Sequence, residues 1–438
     1  MFGDSLYDSL FLEQPHDVYK DKSRRRRRST SRLSASESSS APFTPPLNSA
    51  SSWIAAPPRL CKRSGKYLLI FVAAVVSISF WYPFSGLFVG RVRHSATHGC
   101  GFPHGSLPES RMGEMRDTLA GYKNRGGKCN VSSLDLHIPF GSVCPDKNSI
   151  LTAMSSGGRV GMDAPYMPRG CDMRWFTTWE ACEILGRYSQ VILVGDSMLR
   201  HVIGAMNILI REDLGYGGVT DWNFDNDEKR KCFCNNQFDV RDCSVQGIFS
   251  TADVIERDPL SLMCPKMIPE WNTDLRIELI VRYPIPEEER RRFEKAIDPN
   301  PSQPKAFILG HGLWNNLDVD QAVNWLDLVL DTIESKTGAR MRLRGRSPRR
   351  NLPVLLMTPN AAGDKKPDEW IVSQGNKALV RYEHAMAVQA AKRRVDHLGT
   401  WNMSIQATLY DGVHMDMRGN LLKAMMVLNW LNLLDARG

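Results

Sequence analysis

Three short apolar runs, each closed by a polar turn and followed by a stretch of helical periodicity, constrain this chain more than any other feature of its sequence. Residues 189–197 read SQVILVGDS, 305–312 read KAFILGHG and 352–360 read LPVLLMTPN. Runs this short, apolar throughout and rich in aliphatic residues, are those of strands buried on both faces. After them, MLRHVIGAMNILI, QAVNWLDLVLDTIES, a stretch from about Glu369 to Lys392 and residues 419–434 repeat apolar side chains at helical spacing. Strands alternating with helices predict a parallel sheet covered on both faces. The expected fold class is therefore α/β, a three-layer sandwich with a central parallel sheet. The stretch 212–305, with its cysteines and the charged segment EEERRRFEK, breaks the alternation and reads as insertions.

In an open parallel sheet, ligands bind outside the carboxyl ends of the strands. Gly195-Asp196-Ser197 stands at such an end, so Ser197 is exposed at a strand-to-helix turn beside free helix N–H groups. A serine nucleophile needs a histidine base oriented by a carboxylate. Asp411-Gly-Val-His414, just before the last helix, supplies both on one turn. In this reading Asp411 holds the His414 ring, and His414 takes the Ser197 proton and returns it to the leaving group. A third loop, Gly310-His311-Gly312-Leu313-Trp314-Asn315-Asn316, offers the Gly312 amide and the side chain of Asn315 or Asn316 as oxyanion donors. His311 competes with His414 for the role of base, whereas His201, four residues after Ser197, is expected to pack on its own helix. The letters alone are weak: Gly3-Asp4-Ser5-Leu6 matches equally well but follows no strand. This chemistry calls for no cofactor and no metal.

The N-terminal part reads differently. Of the 56 Lys/Arg and 48 Asp/Glu in the chain, 12 and 6 fall in residues 1–66, leaving a nearly balanced 44 and 42. That balance argues against a nucleic-acid-binding body, which concentrates positive charge on the folded part. Residues 1–66, rich in Ser, Pro and Arg, are expected to be a disordered cytosolic tail. Residues 67–89 form an uncharged run of 23 residues bounded by Lys66 and Arg91, long enough to cross a ~30 Å hydrocarbon core as one transmembrane helix. The excess of Lys/Arg before that run places the rest in the lumen: a single-pass type II protein of a secretory-pathway membrane. Residues 90–150 are expected to be a stem or disulfide-pinned lead-in and 151–438 the catalytic domain. Nine of the ten cysteines follow the span, which allows up to four disulfides in an oxidising compartment. Asn130-Val-Ser and Asn402-Met-Ser are N-glycosylation sequons.

The order of a strand-end Gly-Asp-Ser, a mid-chain Gly/Asn loop and a late Asp-x-x-His resembles the SGNH (GDSL-type) hydrolase superfamily. Gly-Asp-Ser-x-x-Arg, ending here in Arg200, and the lead-in CEILGRYSQVILVGDSMLRHV resemble its PC-esterase and trichome birefringence-like branch. That resemblance implies an SGNH-like fold with Ser197, Asp411 and His414 as triad, and with Gly195, Asp196 and Arg200 supporting the nucleophile loop. It implies a membrane-anchored enzyme that moves acyl groups, acetyl foremost, to or from the hydroxyls of a glycan partner, the acyl donor being unspecified. The chain departs from the plant-type Asp-Cys-x-His-Trp-Cys at Gly412 and Met415, reads Gly-Leu-Trp-Asn-Asn in place of Gly-x-Asn-Asp, and offers only Gly217 or Gly218 for the oxyanion glycine of the family's second block. Two rival readings stand beside it. One is a Golgi glycosyltransferase using Asp318-Val-Asp320, and the other is a catalytically inactive glycan-binding protein.

Overall fold

β1 (Gln190–Gly195) is buried along its whole length, and its side chains alternate between two separate apolar layers. Val191 and Leu193 enter one layer, and Ile192 and Val194 the other. In the computed structural model, which describes residues 116–300, 303–338 and 352–434, this strand lies second in a five-stranded sheet. The others are β2 (Asp274–Leu279), β3 (Lys305–Gly310), β4 (Val354–Met357) and β5 (Asp396–Leu398). All pair in parallel, in the order β2-β1-β3-β4-β5. The chain steps outward to β2, crosses back over β1 to β3, and then runs on to β5. Its topological switch point therefore falls between β1 and β3, the place where α/β sheets bind ligands.

Helices cover both faces, so the α/β class and the layering follow from the sequence pattern. α1 (Lys147–Ser156), α2 (Thr178–Leu185) and α3 (Ser197–Arg211) contribute to the layer that holds Val191 and Leu193. α4 (Glu287–Ala296), α5 (Val319–Thr337) and α6 (Asn376–Lys392) supply Phe293, Trp325 and Tyr382 to the opposite layer. α7 (Met417–Asn432) returns to the first layer and is buried almost throughout. The expected helix over 369–392 is two helices, Asp368–Gln374 and α6, separated by an extended Gly375. Glycine is the poorest helix former after proline. β2 went unread because Arg276 and Glu278 interrupt its apolar residues; it is an edge strand, where charge is normal.

α3 and α7 are buried because residues 116–185 wrap their outer side. Leu119, Tyr122, Leu136, Ile150 and Tyr166 all belong to the same core as Val191, so the part of the lead-in that is described is built into the domain. Three disulfides fasten this shell, Cys129–Cys234, Cys144–Cys171 and Cys182–Cys264, and a fourth, Cys232–Cys243, closes a loop within the insertion after α3. Cys232 and Cys234 thus serve different bridges. The insertion after α3 is anchored by Arg211, whose buried guanidinium donates to the carbonyls of Tyr216, Gly217 and Val219 and to Asp221. The tail, the apolar run 67–89 and Cys100 lie outside the described residues. Among the described residues no helix is long and apolar enough to cross a membrane.

β1 and β3 meet at their carboxyl ends through glycine. A Cβ on Gly195 would stand 2.3 Å from the backbone oxygen of Gly310. Neither strand can yield without breaking its register, so Gly195→Ala is expected to destabilise the fold by about 3 kcal/mol. Urea unfolding should show a lower midpoint with an unchanged slope.

Candidate active site

The turn that ends β1 is set by Asp196. Its buried carboxylate accepts from the Met198 amide at 2.9 Å and caps α3, making Ser197 the first helical residue. Ser197 is half-buried, and its Oγ lies 2.6 Å from His414 Nε2. His414 Nδ1 lies 2.7 Å from Asp411 Oδ2, while Asp411 Oδ1 accepts from the amides of Val413 and His414 at 2.9 and 2.8 Å. The loop carrying both is closed by a hydrogen bond from the Tyr410 amide to the His414 carbonyl. Three residues separated in sequence thus form one continuous hydrogen-bonded run.

The charges suit that run. Burial pushes the Asp411 carboxyl up, but the His414 ring and two amides outweigh it and hold the group at about 2. An ionised Asp411 keeps a proton on His414 Nδ1, which leaves the Nε2 lone pair for the Ser197 hydroxyl. The His414 ring stacks on Tyr410 at 5.9 Å and packs against His201 at 5.0 Å. His201 in turn meets Phe238 edge-on at 5.4 Å, and burial first, then the charge on neighbouring groups, drives its pKa well below the usual value. It is a neutral wall of the site rather than a second base. Arg200 is half-buried in the same region, its guanidinium lowered to about 10 by burial against the opposing effect of Tyr410 and Asp196.

The Gly/Asn loop divides its candidates. Gly312 has φ +150°, and its amide makes no protein hydrogen bond among the described residues. Tyr382, whose hydroxyl donates to the His311 carbonyl, packs under it: a Cβ on Gly312 would lie 2.9 Å from that ring. Asn315, expected as an oxyanion donor, uses both amide protons elsewhere. Its Nδ2 donates to the Tyr283 carbonyl and to Gln321, and its Oδ1 accepts from the Tyr283 amide. It is a clamp between the loops leaving β2 and β3. Asn316 is exposed, and its Oδ1 accepts from Gln374 at 3.2 Å. His311 commits Nε2 to Asn315, stacks on Trp325 at 4.7 Å and is lowered by burial to about 4, so it is engaged away from Ser197. The amides of Gly217 and Gly218 are taken by Asp213 and Gln237.

Other expected residues fall as follows. Asp318 caps α5 by accepting from the Gln321 amide at 3.0 Å, a structural use of the Asp-x-Asp letters. Asn130 is exposed, whereas the Asn402 amide donates inward to the Ser155 carbonyl at 2.8 Å. Among the described residues no group of three His, Cys, Asp or Glu side chains is placed to hold a metal.

Sequence reasoning missed Tyr410, Phe238, Asp239 and Lys423. Asp239 follows Phe238 on a short helix of the insertion, has a buried Oδ1 without a hydrogen-bond partner, and is raised to about 7 by burial and by the charges of Asp416 and Asp411. Nothing in the sequence marks it. Lys423 did leave a signal, a lone cation inside the apolar run LLKAMMVLNWLNLL. No family model, curated protein or solved structure matches the chain.

Two outcomes follow from this geometry. Gly312→Ala combines a strained φ with a clash against Tyr382 and should cost about 1–3 kcal/mol, read from thermal unfolding. For Asp411 the folded pKa, about 2, lies below the ordinary value of about 4. Its contribution to stability is therefore complete above pH of about 4 and disappears as pH falls through the folded value. The unfolding-temperature gap between wild type and Asp411→Asn should close over that window.

Proposed function

We propose that this chain is a serine-dependent acyl-ester enzyme of SGNH type that transfers acyl groups, acetyl foremost, to or from glycan hydroxyls. One observation carries the reading: the unbroken contact from Ser197 Oγ to His414 to an ionised Asp411. Ser197 attacks the acyl carbonyl while His414 Nε2 takes its proton. The resulting imidazolium is stabilised by Asp411, and it protonates the departing oxygen as the acyl-enzyme forms. A sugar hydroxyl or water, activated by the same histidine, then releases the acyl group. General-base assistance of this kind is worth about 10²–10⁴ in rate.

The developing oxyanion has two sources of support. Ser197 opens α3, so its own amide and the helix N-terminus carry positive potential beside the reacting carbon. The Gly312 amide is the second donor, and each well-placed donor is worth about 3 kcal/mol. Asn315 is not among them. The resemblance described for the motif blocks supports a glycan acceptor. Four disulfides and the apolar run at 67–89 support a lumenal domain anchored as a type II protein in the Golgi or a neighbouring membrane.

The test uses the full-length chain and its Ser197→Ala variant with p-nitrophenyl acetate and a fluorophosphonate probe. Wild type should cleave and label, and Ser197→Ala should do neither. A folded wild-type chain that stays silent with both reagents, and with acetylated and free glycans added, overturns the proposal. Asp411→Asn should retain the fold and lower kcat by about 10⁴, because the wrong tautomer of His414 then faces Ser197.

A further inference from the structure

We propose that Lys423 is a positioning residue that ties the nucleophile turn to the histidine loop, through Asn360 on one side and through one bound water beneath Asp196 on the other. The inference rests on the acyl-transfer reading of Ser197, although one of its tests does not.

Lys423 lies in the middle of α7 and is 2% exposed. Burying an ammonium costs several kcal/mol unless it is paired and hydrogen-bonded, so its partners carry meaning. Nζ donates to the Oδ1 of Asn360, which is equally buried. Asn360 Nδ2 then donates to the Val413 carbonyl at 2.9 Å. Val413 precedes His414, and its amide is bound by Asp411. Thr400, whose hydroxyl donates to the Thr358 carbonyl at 2.6 Å, lies 3.4 Å from the Asn360 Oδ1. Lys423 is thus one side chain away from the backbone that aims the catalytic histidine.

The other arm reaches Asp196. Its carboxylate is 4% exposed and attracts Lys423 electrostatically, yet no direct ion pair joins them. A cavity of about 10 Å³ lies there, lined by Asp196, Leu199, Gly310, His311, Thr358 and Lys423 among others. That is the space of one water. His311 Nδ1, buried and without a partner, belongs to a residue on the same wall. A carboxylate, an ammonium and an imidazole nitrogen supply the two to four polar partners that a buried water requires. The cap that sets Ser197 and the loop that sets His414 then share one ammonium.

Three variants of the full-length chain test this. Lys423→Met keeps the length of the side chain and removes its donors, at a cost in stability because the buried Asp196 carboxylate loses the opposing charge. It should lower kcat for p-nitrophenyl acetate, and the fluorophosphonate labelling rate, by about 10–100-fold with KM unchanged, the cost of a misplaced reacting group. Lys423→Gln restores a donor toward Asn360 without charge and should recover most of that loss. Asn360→Ala breaks the same link from the other end and should match Lys423→Met, which decides the matter should Lys423→Met not fold. The low-field proton resonance of His414 Nδ1–H, identified by its loss in Asp411→Asn, should shift or broaden in Lys423→Met and Asn360→Ala. That readout holds whether or not the chain hydrolyses esters, so a silent wild type counts against the acyl-transfer reading alone. Wild-type rates and an unmoved resonance in folded Lys423→Met or Asn360→Ala overturn the proposal. So does an equal loss in the Met and Gln variants beside wild-type rates in Asn360→Ala, since the charge alone, with no tie to the histidine loop, would then be the cause.

Discussion

The contact between β1 and β3 at Gly195 and Gly310 is the constraint on which the rest of this structure depends. Two parallel strands that share a register and end level with each other release their loops side by side. One loop carries Ser197 and the other Gly312. Because the chain reverses its direction of travel across the sheet between these two strands, no helix crosses over their ends, and the crevice there stays open. A side chain at Gly195 would separate the strands and move both loops. The late Asp411–His414 turn reaches the same place because α7 packs beside α3 in one apolar layer, so its N-terminus sits near the N-terminus of α3.

Much of this was legible in the sequence because local pattern and tertiary role agreed. β1, β3 and β4 are buried on both faces, and their apolar runs say so; Ser197, Asp411 and His414 stand at the turns that such runs demand. The failures have physical causes. β5 is three residues long, too short for any period to register, and β2 carries the charges of an edge. Asn315 read as an oxyanion donor because an asparagine after a glycine turn has the right chemistry. Which way its amide points is decided by Tyr283, 32 residues upstream and on another strand's exit. Phe238 and Asp239 are brought to the site by an insertion whose path is drawn by disulfides, and connectivity of cysteines is not written in their spacing.

The interior around the site is unusually polar for so small a volume. Asp196, His201, His311 and Lys423 are all buried within a few residues of the reacting groups. In a medium of low dielectric, opposite charges there act strongly and like charges cannot coexist. His201 illustrates the selection that follows. A second imidazolium 5.0 Å from His414 would oppose any positive charge on the His414 ring, and burial keeps His201 neutral. Asp196 and Lys423 are of opposite sign and face a common cavity, so each offsets part of the other's desolvation.

The insertion that follows α3 makes the rear of the site depend on covalent closure. Phe238 backs His201, and His201 backs His414, so the rear wall of the site belongs to a segment with little regular structure of its own: two four-residue helices, Asn236–Asp239 and Arg241–Ser244. What fixes that segment is a pair of covalent bridges, one to Cys129 far upstream and one closing a short loop. Reducing either bridge would free the segment that carries Phe238, and the packing behind His201 and His414 would loosen with it.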